Sequence, residues 1–191
     1  MQVHLRVAGP QDAQAFSTIY APYVSDTAIT FETEAPDASE FTRRVQTIGR
    51  QYPWLAAVDG DHVLGYAYAC EHRSRRAYRW SVDVGIYLDA NTHRRGIGRR
   101  LYQALFALLV RQGYYNAYGG ITIPNEASIG LHESLGFQRV GIYRRVGFKL
   151  GAWRDVGWWE LMMRESMAEP GEPVAFVDLP ADEVREIVEA G

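Results

Sequence analysis

The sequence predicts a single α/β domain built around one mixed sheet. Three observations carry that expectation. The 191 residues are 47% hydrophobic and 23% charged, which suits one domain with a full core. Helical and strand patterns follow one another in the order helix, helix, three strands, helix, strand, helix, strands. A strand, a glycine turn and the longest amphipathic helix of the chain then occupy residues 80–109.

Taken in order, Phe16, Ile19, Tyr20 and Tyr23 recur at helical spacing behind Gly9 and Pro10 as start signals. Phe41, Val45 and Ile48 follow Asp37-x-x-Glu40, a capping-box pattern, and Gly49 can end that helix. Residues 27–36 between them are a loop carrying Thr30, Phe31 and Glu32. Strands at 54–58 and 62–69 flank Asp59-Gly60, a strong hairpin signal. A basic loop at 70–79 precedes an apolar strand at 80–88 with Asp83 inside it. The turn at 89–93 leads to Arg94-Arg95-Gly96-Ile97-Gly98, and Ile97, Leu101, Ala104, Leu105, Leu108 and Leu109 then form one stripe ended by Gly113. A strand at 115–123 meets Pro124-Asn125, and Ala127, Leu131 and Leu135 give a short helix one face before Gly136. Residues 137–146 predict a strand, and 147–163 contain the last one. Residues 1–164 thus make the domain, and 165–191 an acidic, proline-containing extension over the surface with a frayed short helix at 181–190.

Twenty Lys and Arg against 23 Asp and Glu leave a net charge of −3, so no bulk field favours nucleic acid or an acidic membrane. From Glu165 onward there are eight acidic residues and one arginine, which leaves the body positive and able to receive an anion. One cysteine, Cys70, excludes an internal disulfide framework and a cysteine zinc site, and the five histidines lack metal-ligand spacing, so no metal is expected. With no leader pattern in residues 1–10 and no apolar run of 18, a soluble cytoplasmic protein is expected.

Chemistry concentrates in a few places. A helix start leaves amide N–H groups unpaired, and Gly96 and Gly98 let a ligand approach them, with Arg94, Arg95, Arg99 and Arg100 adding charge. Leu101 at the third glycine position excludes a dinucleotide fingerprint, and no Gly-Lys-Ser/Thr supports a Walker loop. On its own the pattern reads equally well as a glycine turn entering a basic helix. Asp83 in an apolar strand must be paired, hydrated or shifted in pKa; it reads as a base or, more commonly, as a structural acid paired with Arg79 or another arginine. The run His72-Arg73-Ser74-Arg75-Arg76 reads as an oxyanion clamp or as a solvated loop. His132 alone reads as a packed or surface residue, Cys70 as a packed one, and Trp153, Trp158 and Trp159 as core or interface. No Gly-x-Ser-x-Gly elbow is present.

Further segments join this strand–turn–helix. They are Thr30-Phe31-Glu32, Tyr52-Pro53-Trp54-Leu55, Gly65-Tyr66-Ala67-Tyr68-Ala69, Arg73-x-Arg75-x-Ala77-Tyr78, Ile86-Tyr87-Leu88, Pro124-Asn125-x-Ala127-Ser128, Leu131-His132-Glu133-x-Leu135-Gly136-Phe137 and Gly147-Phe148-Lys149-x-Gly151-x-Trp153-x-Asp155. Across residues 3–163 the chain resembles the GNAT N-acetyltransferase superfamily, and within it the phosphinothricin and methionine sulfoximine acetyltransferase group. The resemblance implies a GNAT fold, acetyl-CoA as co-substrate, and direct transfer to the α-amine of a small amino-acid-like acceptor. It also implies a homodimer and a detoxifying role. It assigns the pantetheine arm to the backbone of Ile86, Tyr87 and Leu88, and the pyrophosphate to the loop of Arg94, Arg95, Gly96, Ile97, Gly98 and Arg99. Asn125 falls near the reactive end of the cofactor, Asp83 at the general base, and His132 at an assisting histidine. Arg73, Arg75 and Tyr78 fall where the acceptor is gripped, Thr30 and Phe31 where it is covered, and Lys149 and Trp153, in a segment specific to the group, are also assigned to substrate binding. Two positions depart from the pattern. Asp83 replaces the usual Glu, drawing the carboxylate back by about 1.3 Å, roughly one C–C bond, and His93 replaces a usual Gln or Arg. A GNAT enzyme for another amine, such as a peptide N-terminus, and a non-catalytic acyl-CoA-binding module remain as alternatives.

Overall fold

A computed structural model describes residues 2–92 and 95–191. In chain order they form β1 (Val3–Val7), α1 (Ala13–Ser25), α2 (Ala38–Thr47), β2 (Trp54–Asp59), β3 (His62–Glu71), β4 (Ser81–Leu88), α3 (Ile97–Gln112), β5 (Asn116–Ile123), α4 (Glu126–Ser134), β6 (Gln138–Lys149), β7 (Ala152–Met162) and α5 (Ala181–Ala190). The strands make one seven-stranded sheet in the order β1-β2-β3-β4-β5-β7-β6. Among the described residues β4 and β5 are the one parallel pair, joined by the crossover through α3, and every other neighbouring pair is antiparallel.

Side-chain alternation along the strands divides the interior into two cores. Leu55 and Ala57 of β2 face α3, whose Leu101, Leu105, Leu108 and Leu109 are buried, as the predicted stripe requires. Trp54 and Ala56 face the other way, toward Phe16, Tyr20 and Phe41 of α1 and α2. The Asp37 carboxylate caps α2 by accepting from the Glu40 N–H at 2.8 Å. The reciprocal half of the capping box is missing, because the Glu40 side chain binds Arg43 and Arg44 instead.

Three expectations change. A first strand, β1, joins the order: Val3, Leu5 and Val7 alternate with His4 and Arg6, a signal that the expected order leaves out, and the strand pairs with β2 in the antiparallel register Val3↔Asp59 to Val7↔Leu55. The short helix α4 packs Leu131, and Leu135 at its C-cap, against the core as the expected stripe requires, but Ala127 is exposed and His132 is the residue buried on it. The acidic C-terminal segment does not merely cross the surface. Phe176 and Val188 enter the core beside α3, and α5 packs on β1 and α3.

That segment also binds a distant loop. Glu172 accepts from Arg79 at 2.7 Å and Arg76 at 3.2 Å, while the Trp80 indole N–H donates to the Gly171 carbonyl at 2.7 Å. Phe176→Ala should destabilise the protein by about 3 kcal/mol, the usual scale for a buried phenylalanine, read as a lower urea midpoint at unchanged m-value. A loss below about 1 kcal/mol would mean that the segment lies on the surface without structural weight.

Candidate active site

The site begins where the parallel pair ends. β4 and β5 are paired at Ser81↔Asn116, Val82↔Ala117 and Asp83↔Tyr118. Beyond Asp83, β4 stays with β3 as far as Leu88↔Gly65, while β5 stays with β7 as far as Ile123↔Asp155. The strands therefore part and open a cavity of about 280 Å3. Asp83, Val84, Gly85, Ile86 and Tyr87 line one side, Gly119 to Thr122 the other, and Tyr102, Asn125, Ser128, His132 and Trp158 complete the wall. Backbone groups of β4 that point toward β5 beyond Asp83 have no ladder partner there.

At the mouth, Gly96 has φ of +75°, a left-handed conformation that glycine adopts without strain, and it caps α3 with no side chain of its own. The Arg100 N–H makes the first intrahelical bond, to the Gly96 carbonyl at 3.1 Å, so the amides of Ile97, Gly98 and Arg99 have no acceptor within the helix. Gly98 is buried beneath Leu131, Ile86 and Leu88, which joins the turn to the end of β4. The arginines divide. Arg99 donates to the Ser134 carbonyl at 3.3 Å, and Arg100 turns away to the carbonyls of Val3 and Gly191. His93 and Arg94, both named from the sequence, lie outside the described residues.

Asp83 has an unexpected partner. Its Oδ1 accepts a hydrogen bond from His72 Nδ1 at 2.6 Å, and its Oδ2 lies 3.9 Å from the Arg73 guanidinium. Arg79, the arginine expected there, is bound to Glu172. Burial pushes the Asp83 carboxyl above the ordinary range, and the His72 hydrogen bond and the neighbouring charges pull the other way. Cys70, register partner of Asp83 on β3, is driven up to about 12, chiefly by burial and then by the Asp83 charge, so it remains a thiol.

His132 is buried and held through both ring nitrogens. Nδ1 donates to the Ser128 carbonyl at 2.8 Å, and Nε2 accepts from the Tyr102 hydroxyl at 3.2 Å. Burial lowers its pKa and favours the neutral imidazole. Asn125 caps α4, its side-chain oxygen accepting from the Ser128 N–H at 3.2 Å.

The structure thus brings Asp83, Ile86, Tyr87, Asn125 and His132 to one cavity, with Leu88 at its mouth. Thr30 and Phe31 lie on a loop beside it. The Thr30 hydroxyl meets the Tyr20 hydroxyl at 2.5 Å, its carbonyl accepts from Lys149 Nζ at 2.8 Å, and Phe31 packs over Gly147. Lys149 therefore tethers that loop. Arg73 and Tyr78 gather around His72, Arg75 is exposed, and Trp153 stands 62% exposed against Phe148 on the β6–β7 hairpin, away from the cavity lining. Tyr68, Tyr102 and Trp158 in the wall were not singled out for the site. The short span from His72 to Asp83, 11 residues across a strand connection, was the signal available for the missed pair.

A mixed sheet parted at its single described parallel pair, with a helix start at the mouth and a half-buried carboxylate on the wall, is an architecture suited to an acyl-group transferase. The sequence matches the acetyltransferase (GNAT) domain family over residues 5–158, and the chain belongs to that family. It is 37% identical over 163 residues to phosphinothricin N-acetyltransferase of Streptomyces coelicolor, covering 83% of this chain and 95% of that protein. It is 32% identical over 172 residues to the L-methionine sulfoximine/L-methionine sulfone acetyltransferase of Pseudomonas aeruginosa, covering 89% and 100%. The crystal structure of a GNAT superfamily phosphinothricin acetyltransferase from Sinorhizobium meliloti in complex with AcCoA matches with a TM-score of 0.85 and 34% identity, over 94% of this chain and 98% of that one.

The wall depends on close approach at Gly119, where a Cβ would stand 2.8 Å from His132 Nε2. Gly119→Ala should therefore break the Tyr102–His132 bond and destabilise the fold by about 1–3 kcal/mol. Gly130→Ala, where a Cβ meets nothing within 4 Å, should be neutral or stabilising. Thermal unfolding of the two variants side by side checks this.

Proposed function

We propose that this protein transfers the acetyl group of acetyl-CoA directly to the α-amine of a small amino-acid-like acceptor of the phosphinothricin and methionine sulfoximine kind. The observation that carries the reading is Asp83, a partly desolvated carboxylate on the cavity wall with an arginine beside it. Relatives named for those acceptors, each more than 30% identical over most of the chain, support it.

In this reading the unpaired backbone of Ile86, Tyr87 and Leu88 receives the pantetheine arm as an added strand. The turn of Arg94, Arg95, Gly96, Ile97, Gly98 and Arg99 holds the pyrophosphate through amides and charge. Asn125, its oxygen engaged in the cap, keeps Nδ2 for the thioester end. Arg73, Arg75 and Tyr78 take the acceptor's carboxylate side, and Thr30 and Phe31 cover it, with Lys149 holding their loop. Asp83 accepts a proton from the acceptor's ammonium, directly or through a water. The amine then attacks the thioester carbonyl, the N–C bond forms, the C–S bond breaks, and the leaving thiolate takes up the proton that the attacking nitrogen sheds on becoming an amide, giving the free thiol of coenzyme A. Backbone N–H groups of β4 stabilise the oxyanion. His132, neutral and fixed, assists as part of the wall around the reacting end.

The β6–β7 hairpin supports a homodimer. Tyr143, Val146, Phe148, Leu150 and Trp153 are all exposed on it, an apolar patch suited to a second copy. A detoxifying, cytoplasmic role agrees with these acceptors, and no described helix is long and apolar enough to cross a membrane.

Asp83→Asn should lower the acetylation rate by about 100-fold or more while acetyl-CoA affinity stays within about twofold. Thiol release and calorimetry read the two quantities, and equal losses in both would remove Asp83 from the chemistry. Phe148→Asp should shift the protein from dimer to monomer in sedimentation velocity. A wild-type monomer at micromolar concentration would exclude the hairpin interface.

A further inference from the structure

His72 belongs to no assigned role, yet it is the most closely held side chain around Asp83. It follows the last residue of β3, and its side chain is 12% exposed. The imidazole stacks on Tyr118 at 4.4 Å with an interplanar angle of 19°, and meets Tyr78 and Trp158 edge-on at 5.9 and 6.3 Å. Three aromatic rings thus fix its plane, and that plane directs Nδ1 onto Asp83 Oδ1 at 2.6 Å. An ionised carboxylate can only accept, so Nδ1 carries the hydrogen.

We propose that His72 is the positioning residue of Asp83: its Nδ1–H occupies Oδ1, fixes the short carboxylate against β4, and leaves Oδ2 as the oxygen that takes the acceptor's proton. This rests on the reading of Asp83 as the base. The titratable and charged groups facing Asp83 are Cys70 from β3, Tyr118 from β5, and His72 and Arg73 from the loop. Of these, His72 alone makes a direct hydrogen bond to it among the described contacts. A hydrogen bond to the charged form favours that form. Removing it raises the Asp83 pKa and freezes out the base at a higher pH. The carboxylate also loses its anchor, and a displacement of about 1 Å at a reacting group can cost on the order of 100-fold in rate.

Two substitutions separate positioning from packing. His72→Phe keeps the ring against Tyr118 and removes the donor. His72→Asn gives up the ring stack and keeps an amide N–H close to the place of Nδ1. Full-length enzymes are assayed with acetyl-CoA and methionine sulfoximine across pH. His72→Phe should lower kcat at least about 10-fold, leave the acetyl-CoA KM within about twofold, and move the acid limb of the acceptor kcat/KM profile to higher pH. His72→Asn should recover most of the rate. The reverse order, with the phenylalanine variant active and the asparagine variant impaired, reduces His72 to packing and overturns the inference. An inactive Asp83→Asn beside a fully active His72→Phe overturns it while sparing the base. An active Asp83→Asn removes the base itself. If both readings hold, His72→Phe adds no further loss in the Asp83→Asn background.

Discussion

The parting of β4 from β5 beyond Asp83 is the constraint on which the rest of the site depends. A parallel pair would ordinarily continue its ladder, because each buried backbone group left without a partner costs about 1–3 kcal/mol. Here the two strands are held apart from outside. β3 keeps β4 in continuous register from Glu71↔Val82 to Gly65↔Leu88, and β7 keeps β5 over Asn116↔Met162 to Ile123↔Asp155. Tyr102 from α3 and His132 from α4 stand in the wall of the gap and bind one another, so closing it would require dismantling their bond and moving α4. The opening is built in before any ligand arrives, and its unpaired edge is a ready ladder for the amide-bearing arm proposed to occupy it.

Placing a carboxylate beside that opening sets two effects of similar size against each other. Partial burial of an ion costs several kcal/mol, whereas one hydrogen bond to a charged group returns about 1.5–3 kcal/mol. At Asp83 burial prevails and the carboxyl is held above its ordinary value, but the His72 N–H limits the rise. A base works best when its pKa lies near the working pH, and burial moves the proposed base in that direction from the ordinary carboxylate value. The same surroundings silence Cys70: with its thiol at about 12 it offers no thiolate for a covalent acetyl intermediate, which agrees with direct transfer between bound partners.

Much of this was readable along the chain, and the boundary of legibility is physical. The α3 stripe, the Asp59-Gly60 hairpin and the Gly96 turn are local: periodicity and backbone freedom specify them within a few residues. The mixed sheet, and Asp83 as an anomalous acid, follow from the same kind of signal. β1 escaped although Val3, Leu5 and Val7 alternate with His4 and Arg6: five residues at the start of the chain give a short period-two signal, and the strand is secured by pairing with β2. Leu131 and Leu135 pack on the core as their spacing indicates, but the burial of His132 escaped because a histidine carries no apolar signal; Ser128 and Tyr102 satisfy it. His72 was visible as part of a basic run but not as the partner of Asp83. Charge pointed to an arginine, whereas the loop geometry supplied an imidazole.

The same division separates the two ends of the site. The mouth is one continuous stretch, the end of β4 leading to the Gly96 turn and α3, so the donor side is encoded locally and a family match recovers it. The acceptor side is assembled from distant pieces. Lys149 of β6 tethers Thr30, and His72 and Arg73 rise from the loop after β3. That loop is in turn bound at Arg76, Arg79 and Trp80 by Glu172 and Gly171, which lie outside residues 5–158. Exposed ion pairs such as these contribute little to stability. Their weight lies in where they hold a loop that carries the hydrogen-bond partner of Asp83 and an arginine 3.9 Å from that carboxylate. Membership of the family therefore specifies the acetyl donor more tightly than the amine. On the proposed reading, selectivity for the amine rests on tertiary contacts, including those of a C-terminal segment outside residues 5–158.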